Sequence, residues 1–116
     1  MTDSPSLEAG EKYAAQGAEH PRITLDYMKS QIAKTFFTNA DSGLHRKDST
    51  AQLSAMTICT LLMKSGFVVI GKSAPMDFRN FDSEKGKTFA YEDAIRQLWP
   101  MFAFHQLQAK WDVRND

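Results

Sequence analysis

Residues 57–100 read TICTLLMKSGFVVIGKSAPMDFRNFDSEKGKTFAYEDAIRQLWP, and the order of patterns within them decides the fold. Met56 to Met63 is apolar and rich in strand formers, Lys64-Ser65-Gly66 is a turn, and Phe67 to Ile70 is a second apolar run. Two such runs joined by a short glycine-containing turn make a β-hairpin. Phe78 to Asp82 then reads as a connecting turn, Asp82 or Ser83 can cap a helix through a side-chain oxygen, and Glu84 to Trp99 has helical periodicity. On that helix Ala90, Ala94, Ile95, Leu98 and Phe102 form an apolar stripe that belongs on the hairpin, with Trp99 beside it as a core anchor. Glu92, four residues before Arg96, is expected as an ion pair on the solvated side. Along the first strand, Met56, Ile58, Thr60 and Leu62 alternate with Thr57, Cys59, Leu61 and Met63. Both sets are apolar, so the sequence predicts cover on both faces of the sheet.

Working outward, Pro100 can kink or end the helix, and Met101 to Trp111 is rich in aromatic residues and good helix formers, which predicts a further helical segment. Residues 112–116 are expected to fray. Upstream, Thr24 is a good cap, and Leu25, Met28, Ile32 and Phe36 fall on one helical face, predicting an amphipathic helix that ends near Lys34. Thr35 to Thr38 is a candidate edge strand. Residues 39–54 hold almost no apolar side chains and read as a long surface loop. Residues 1–20 are polar with two glycines and read as a disordered segment, dispensable for folding. The sequence therefore predicts one small α+β domain over residues 21–111, a hairpin or three-stranded antiparallel sheet packed by a long C-terminal helix and an N-terminal helix.

Several short pieces of the deciding stretch carry a family resemblance. Thr57-Ile58-Cys59, Lys64-Ser65-Gly66-Phe67, Gly71 to Ala74, Asn80-Phe81-Asp82, Gly86, Ala90-Tyr91-Glu92, Ala94 and Leu98-Trp99-Pro100 resemble the small tailed-phage proteins named after gene product forty-nine of phage N-four and gene product sixty-six of phage Sf-six. Thr24 to Phe37 is similar to that family's first helix and the aromatic strand after it. Ala74-Pro75-Met76-Asp77-Phe78 departs from the family's usual small residue and Asp-Pro before Asn-Phe, so the connecting loop is expected to differ. The resemblance implies no activity.

The 14 basic and 14 acidic side chains cancel, so no global field draws the chain to nucleic acid or an anionic membrane. One cysteine excludes an internal disulfide and fits a reducing cytoplasm. No apolar run approaches a membrane span, and MTDSPSLEAGEK lacks the features of a signal peptide, which points to the cytoplasm, that of the host if the chain is phage-encoded.

Motifs for chemistry are weak. Gly66 to Ser73 matches the phosphate-loop pattern G-x-x-x-x-G-K-S/T, but Phe-Val-Val-Ile prefers an extended strand and Ala74-Pro75 follows where a helix should begin. Cys59 lies within an apolar strand, where a thiol is a small buried hydrophobe. His20, His45 and His105 lack ligand spacing, so neither metal nor cofactor is expected. No pair among Asp77, Asp82, Glu84, Glu92 and Asp93 stands out as an acid and base, and His45-Arg46-Lys47 is diluted by Asp41 and Asp48. The aromatic residues are more informative, because they are too many for one stripe on so small a sheet. Phe102, Phe104 and Trp111 are the candidate partner-binding residues. The sequence reading is thus a non-enzymatic phage accessory protein that self-associates, as a homodimer, and binds a host or phage protein. Its alternative is a small-molecule or nucleotide-binding protein using a pocket near the hairpin-to-helix loop between Lys72, Asp77 and the helix start.

Overall fold

Strands form where apolar and β-branched residues alternate. A computed structural model describes residues 4–115. Strands β1 (Ile32–Asn39), β2 (Thr57–Met63) and β3 (Val68–Ser73) make an antiparallel sheet in the order β1-β2-β3. The β2–β3 turn needs φ of +95° at Gly66, a conformation open to glycine at little cost. It is closed by Gly66 N–H donating to Met63 O and Met63 N–H to Phe67 O, both at 2.9 Å. Register sets the side chains in rows across one face: Lys34, Leu62 and Val68; then Phe36, Thr60 and Ile70; then Thr38, Ile58 and Lys72.

Among the described residues, four α-helices accompany the sheet: α1 (Pro5–Ala15), α2 (Leu25–Ser30), the short α3 (Ala51–Ser54) and α4 (Ser83–Arg114). Asp82 caps α4, its Oδ1 accepting from Glu84 N–H at 3.0 Å and Lys85 N–H at 3.1 Å. Where the sequence predicted a stop or kink followed by a separate segment and a frayed tail, α4 runs unbroken through Pro100 to Arg114. Pro100 and Arg96, whose carbonyl loses its usual donor, are both exposed, so water can replace the missing bond. The predicted 39–54 loop is an excursion stapled by Asp41, whose carboxylate accepts from the hydroxyls of Ser49 and Ser54. Those two bonds hold the Asp41 carboxyl below the usual carboxylate range.

Helix α4 packs on the face carrying Thr57, Cys59, Leu61, Met63 and Val69, and Ala90, Tyr91, Ala94, Ile95 and Leu98 complete the core with Leu25 and Met28 of α2. The approach is close because the contact residues are small. A Cβ built on Gly71 would lie 2.8 Å from Ala94 Cβ and closer still to Ala90 O and Ala94 N, and one on Gly86 would strike Thr57 Oγ1. The other face of the sheet is not covered as the sequence predicted: Phe36, Val68 and Ile70 remain about half exposed. Among the described residues the helical cover is on one side, because α1, α2 and α4 all gather on the Cys59 side.

Two further departures concern the N-terminal region. The helix read from Thr24 to Lys34 stops at Ser30, and Ile32 and Phe36 belong to β1, which pairs with β2 from Ile32 to Asn39 with one register shift between Ile32 and Lys34. Sheet pairing at seven positions outweighs a helical period that four positions satisfied. Residues 1–20, read as disordered, instead contain α1. Ser4 is fully buried, caps α1 by accepting from Leu7 N–H, and donates its hydroxyl to Glu92 Oε1, while Leu7 joins the core. Glu11 ties the other end, accepting from Leu25 N–H at 2.9 Å and pairing with Arg22 at 2.5 Å. The Arg22 partner holds the Glu11 carboxyl below its ordinary value. Residues 1–3 of the segment and 116 of the tail lie outside the described residues.

Candidate interaction surfaces

The phosphate-loop match is dismantled by the sheet. Val68 to Ser73 is strand β3, Gly71 abuts α4, and the Lys72 N–H donates to Asp93 Oδ2 at 2.9 Å, so no run of free N–H groups curls round an anion. Four residues along α4, Gln97 Nε2–H donates to Ile70 O at 2.8 Å. Asp93 and Gln97 thus occupy outward backbone groups of an edge strand, the groups that would otherwise recruit a further strand.

Cys59 is fully buried, and burial pushes its thiol up to about 11, the opposite of what a nucleophile needs. Tyr91, in the same core, is pushed up to about 12 by burial first and by the neighbouring Cys59 second. His20, His45 and His105 are exposed, and His45 caps a turn over Arg46–Asp48. Among the described residues, no three His, Cys, Asp or Glu side chains gather as metal ligands would. Glu92 is not on a solvated face as expected. It is buried under the start of α1 between Ser4 and Arg96, whose Nη2 lies 3.5 Å from Oε2.

The hollow at the hairpin-to-helix loop, lined by Pro75, Phe81, Asp82, Lys85 and Phe89, measures about 170 Å³. Ligand pockets usually run from about 300 Å³ upward. Asp77 lines a separate hollow on the loop, one of about 470 Å³ shared with Gln52, Met76 and Phe78 and open to solvent, and there it forms a chelate with Arg79, 2.5 Å apart, which keeps its carboxyl below the usual range.

A larger cavity of about 510 Å³ opens beyond the β2–β3 turn, between Tyr27 and Gln31, Met63 and Phe67, and Met101, Phe102 and Phe104 of α4. From there α4 runs on alone. Among the candidate partner-binding residues, Phe102 is half-buried, its ring edge-on to Tyr27 with centroids 5.3 Å apart, and is a wall of the domain. Phe104 is 68% exposed and Trp111 is 59% exposed. Leu107, which sequence reasoning passed over, is equally bare and lies between them at i+3 and i−4. That spacing was the readable signal. At about 100° per residue, the stripe of Phe104, Leu107 and Trp111 is rotated roughly 140° from the core stripe of α4, so it does not continue the sheet contact.

No helix among the described residues is long and apolar enough to cross a membrane. A family model described as Phage protein (N4 Gp49/phage Sf6 gene 66) family matches residues 23–110, from the residue before the Thr24 cap of α2 to the exposed half of α4. No curated protein and no solved structure matches the chain.

Proposed function

The chain belongs to the phage protein (N4 Gp49/phage Sf6 gene 66) family, and from that premise we propose that it is a phage accessory protein that acts by binding and not by catalysis. In this reading it pairs with a second copy of itself and engages a host or phage protein in the host cytoplasm. The observation that carries the reading is the bare half of α4, whose Phe104, Leu107 and Trp111 touch no other part of the fold closely enough to be buried. Two such segments can pair antiparallel about a twofold axis between Leu107 and Gln108. Trp111 of one copy then faces Phe104 of the other, at the mouth of the cavity behind Met101 and Phe102. Lys110, Asp112 and Arg114 flank the stripe with both signs of charge, so no field opposes the pairing.

The three side chains bury on the order of 400 Å² per copy, below the roughly 600 Å² per partner at the low end of stable interfaces. The dimer is therefore expected to dissociate in the tens of micromolar. Light scattering coupled to size exclusion should give a mass rising from 13.1 kDa towards twice that value over this range. Phe104→Ser with Trp111→Ser should return it to one chain without lowering the melting temperature. A single-chain mass at hundreds of micromolar sinks the dimer.

A further inference from the structure

We propose that the uncovered face of the sheet is the docking site for an acidic amphipathic helix of a partner protein. This rests on the reading of the chain as a protein-binding module, and assigns its surface and the chemistry of its ligand. The face combines Phe36, Leu62, Val68 and Ile70 with Lys34 at one corner and Lys72 at the diagonal corner. Its three rows contain no acidic residue, although the chain as a whole is neutral. Neither lysine has an ion-pair partner among the described residues, and Asp93, the acid that reaches this edge, is held by the Lys72 N–H.

Size and charge select the occupant. The outer strands lie about 10 Å apart, the diameter of one helix. Lys34 and Lys72 stand two strands and four residues apart, roughly 16 Å along the diagonal, which about eleven residues of α-helix span while returning to the same face. A helix with two carboxylates at that spacing can lay its apolar ridge over Phe36 and Ile70 and end on both ammonium groups. A second copy fits poorly, since two such faces together gather four lysines and no acid round one interface.

The test uses two synthetic amphipathic helical peptides, one with glutamates about eleven residues apart beside an apolar face and one with lysines there. Titration into the isotopically labelled full chain should move the resonances of Phe36, Ile58 and Ile70 at micromolar concentrations of the acidic peptide, with about tenfold weaker binding of the basic one. Lys34→Glu with Lys72→Glu should reverse that preference. Ile70→Asp, at a position 55% exposed, should abolish binding while leaving the melting temperature unchanged. Equal binding of both peptides, or binding indifferent to Ile70→Asp, overturns the proposal. Shifts confined to Phe104, Leu107 and Trp111 also overturn it while leaving a protein-binding role standing. Retention on phosphatidylserine vesicles, lost in Ile70→Asp and without peptide binding, overturns it in favour of a membrane.

Discussion

Gly71→Ala probes the contact on which the domain depends. The added methyl would sit 2.8 Å from Ala94 Cβ and nearer to Ala90 O and Ala94 N, and two of these three atoms are backbone. No rotamer change relieves the clash, so α4 must retreat from β3 by about 1 Å to restore ordinary contact distances. That retreat loosens Lys72–Asp93 and Gln97–Ile70, worth roughly 1 kcal/mol each, and opens the packing round Ala90, Ala94 and Val69. With overpacking itself typically about 1–3 kcal/mol, the expected loss is about 3–5 kcal/mol, a large share of a small domain's stability. Urea unfolding followed by circular dichroism should report it, with a melting temperature lowered by roughly 12 °C or more. Two control substitutions separate steric from conformational effects. Gly66→Ala meets no atom but forces φ of +95° on alanine, costing about 1–2 kcal/mol, whereas Gly10→Ala in α1 meets nothing and should gain about 0.5–1 kcal/mol. A Gly71→Ala protein within about 1 kcal/mol of the parent would mean that α4 does not lie this close to the sheet.

Trp99→Phe should cost about 1 kcal/mol, the indole N–H bond to Ile23 O at 3.0 Å, and Trp99→Ala about 3 kcal/mol; a Trp99→Phe protein as stable as the parent in urea melts would argue against that bond. Ser4→Ala removes the cap of α1 and strips a donor from the buried Glu92 carboxylate, so about 2–3 kcal/mol should be lost, and amide exchange over residues 5–15 should accelerate. Stability should hold through neutral pH and fall above pH 9, because unfolded Cys59 ionises near 9 while the folded thiol does so at about 11; Cys59→Ala should flatten the first part of that decline. Asp93→Ala with Gln97→Ala frees Lys72 N–H and Ile70 O on an edge strand, and light scattering should detect large assemblies that the parent does not form.

What was legible in the sequence was what local pattern encodes. The hairpin declares itself through two apolar runs about Gly66, α4 through its cap and stripe, and the third strand through Thr35 to Thr38, which pairing with β2 extends to Ile32–Asn39. Helix α1 was hidden because its anchors are long-range: Ser4 meets Glu92 across 88 residues, and Leu7 is the one core side chain of α1. Glu92 was misplaced for the same reason, since a charge on a helix flank reads as solvated until another segment covers it. Within the candidate site, the surplus of aromatics pointed to Phe104 and Trp111, while the helical stripe that set Phe102 with the core residues was the better guide to it, since its ring packs inward on Tyr27 of α2. The cavity beside them draws on three segments of chain and has no sequence signature.

The sheet treats its edge and its open face in opposite ways, and this constrains how the protein can associate. Backbone groups on an edge strand recruit almost any extended chain, since the ladder they offer carries no sequence information. Asp93 and Gln97, one helical turn apart on α4, occupy two of those groups on β3, and the Gly71 contact keeps α4 near enough for them to reach. The open face has no such guard. Its recognition must go through side chains, where shape and the two lysines can discriminate between partners. A small domain that closes the unselective surface and leaves the selective one bare, with a second apolar stripe carried clear of the fold on α4, keeps apart the two surfaces proposed for contact with a second copy and with a different protein.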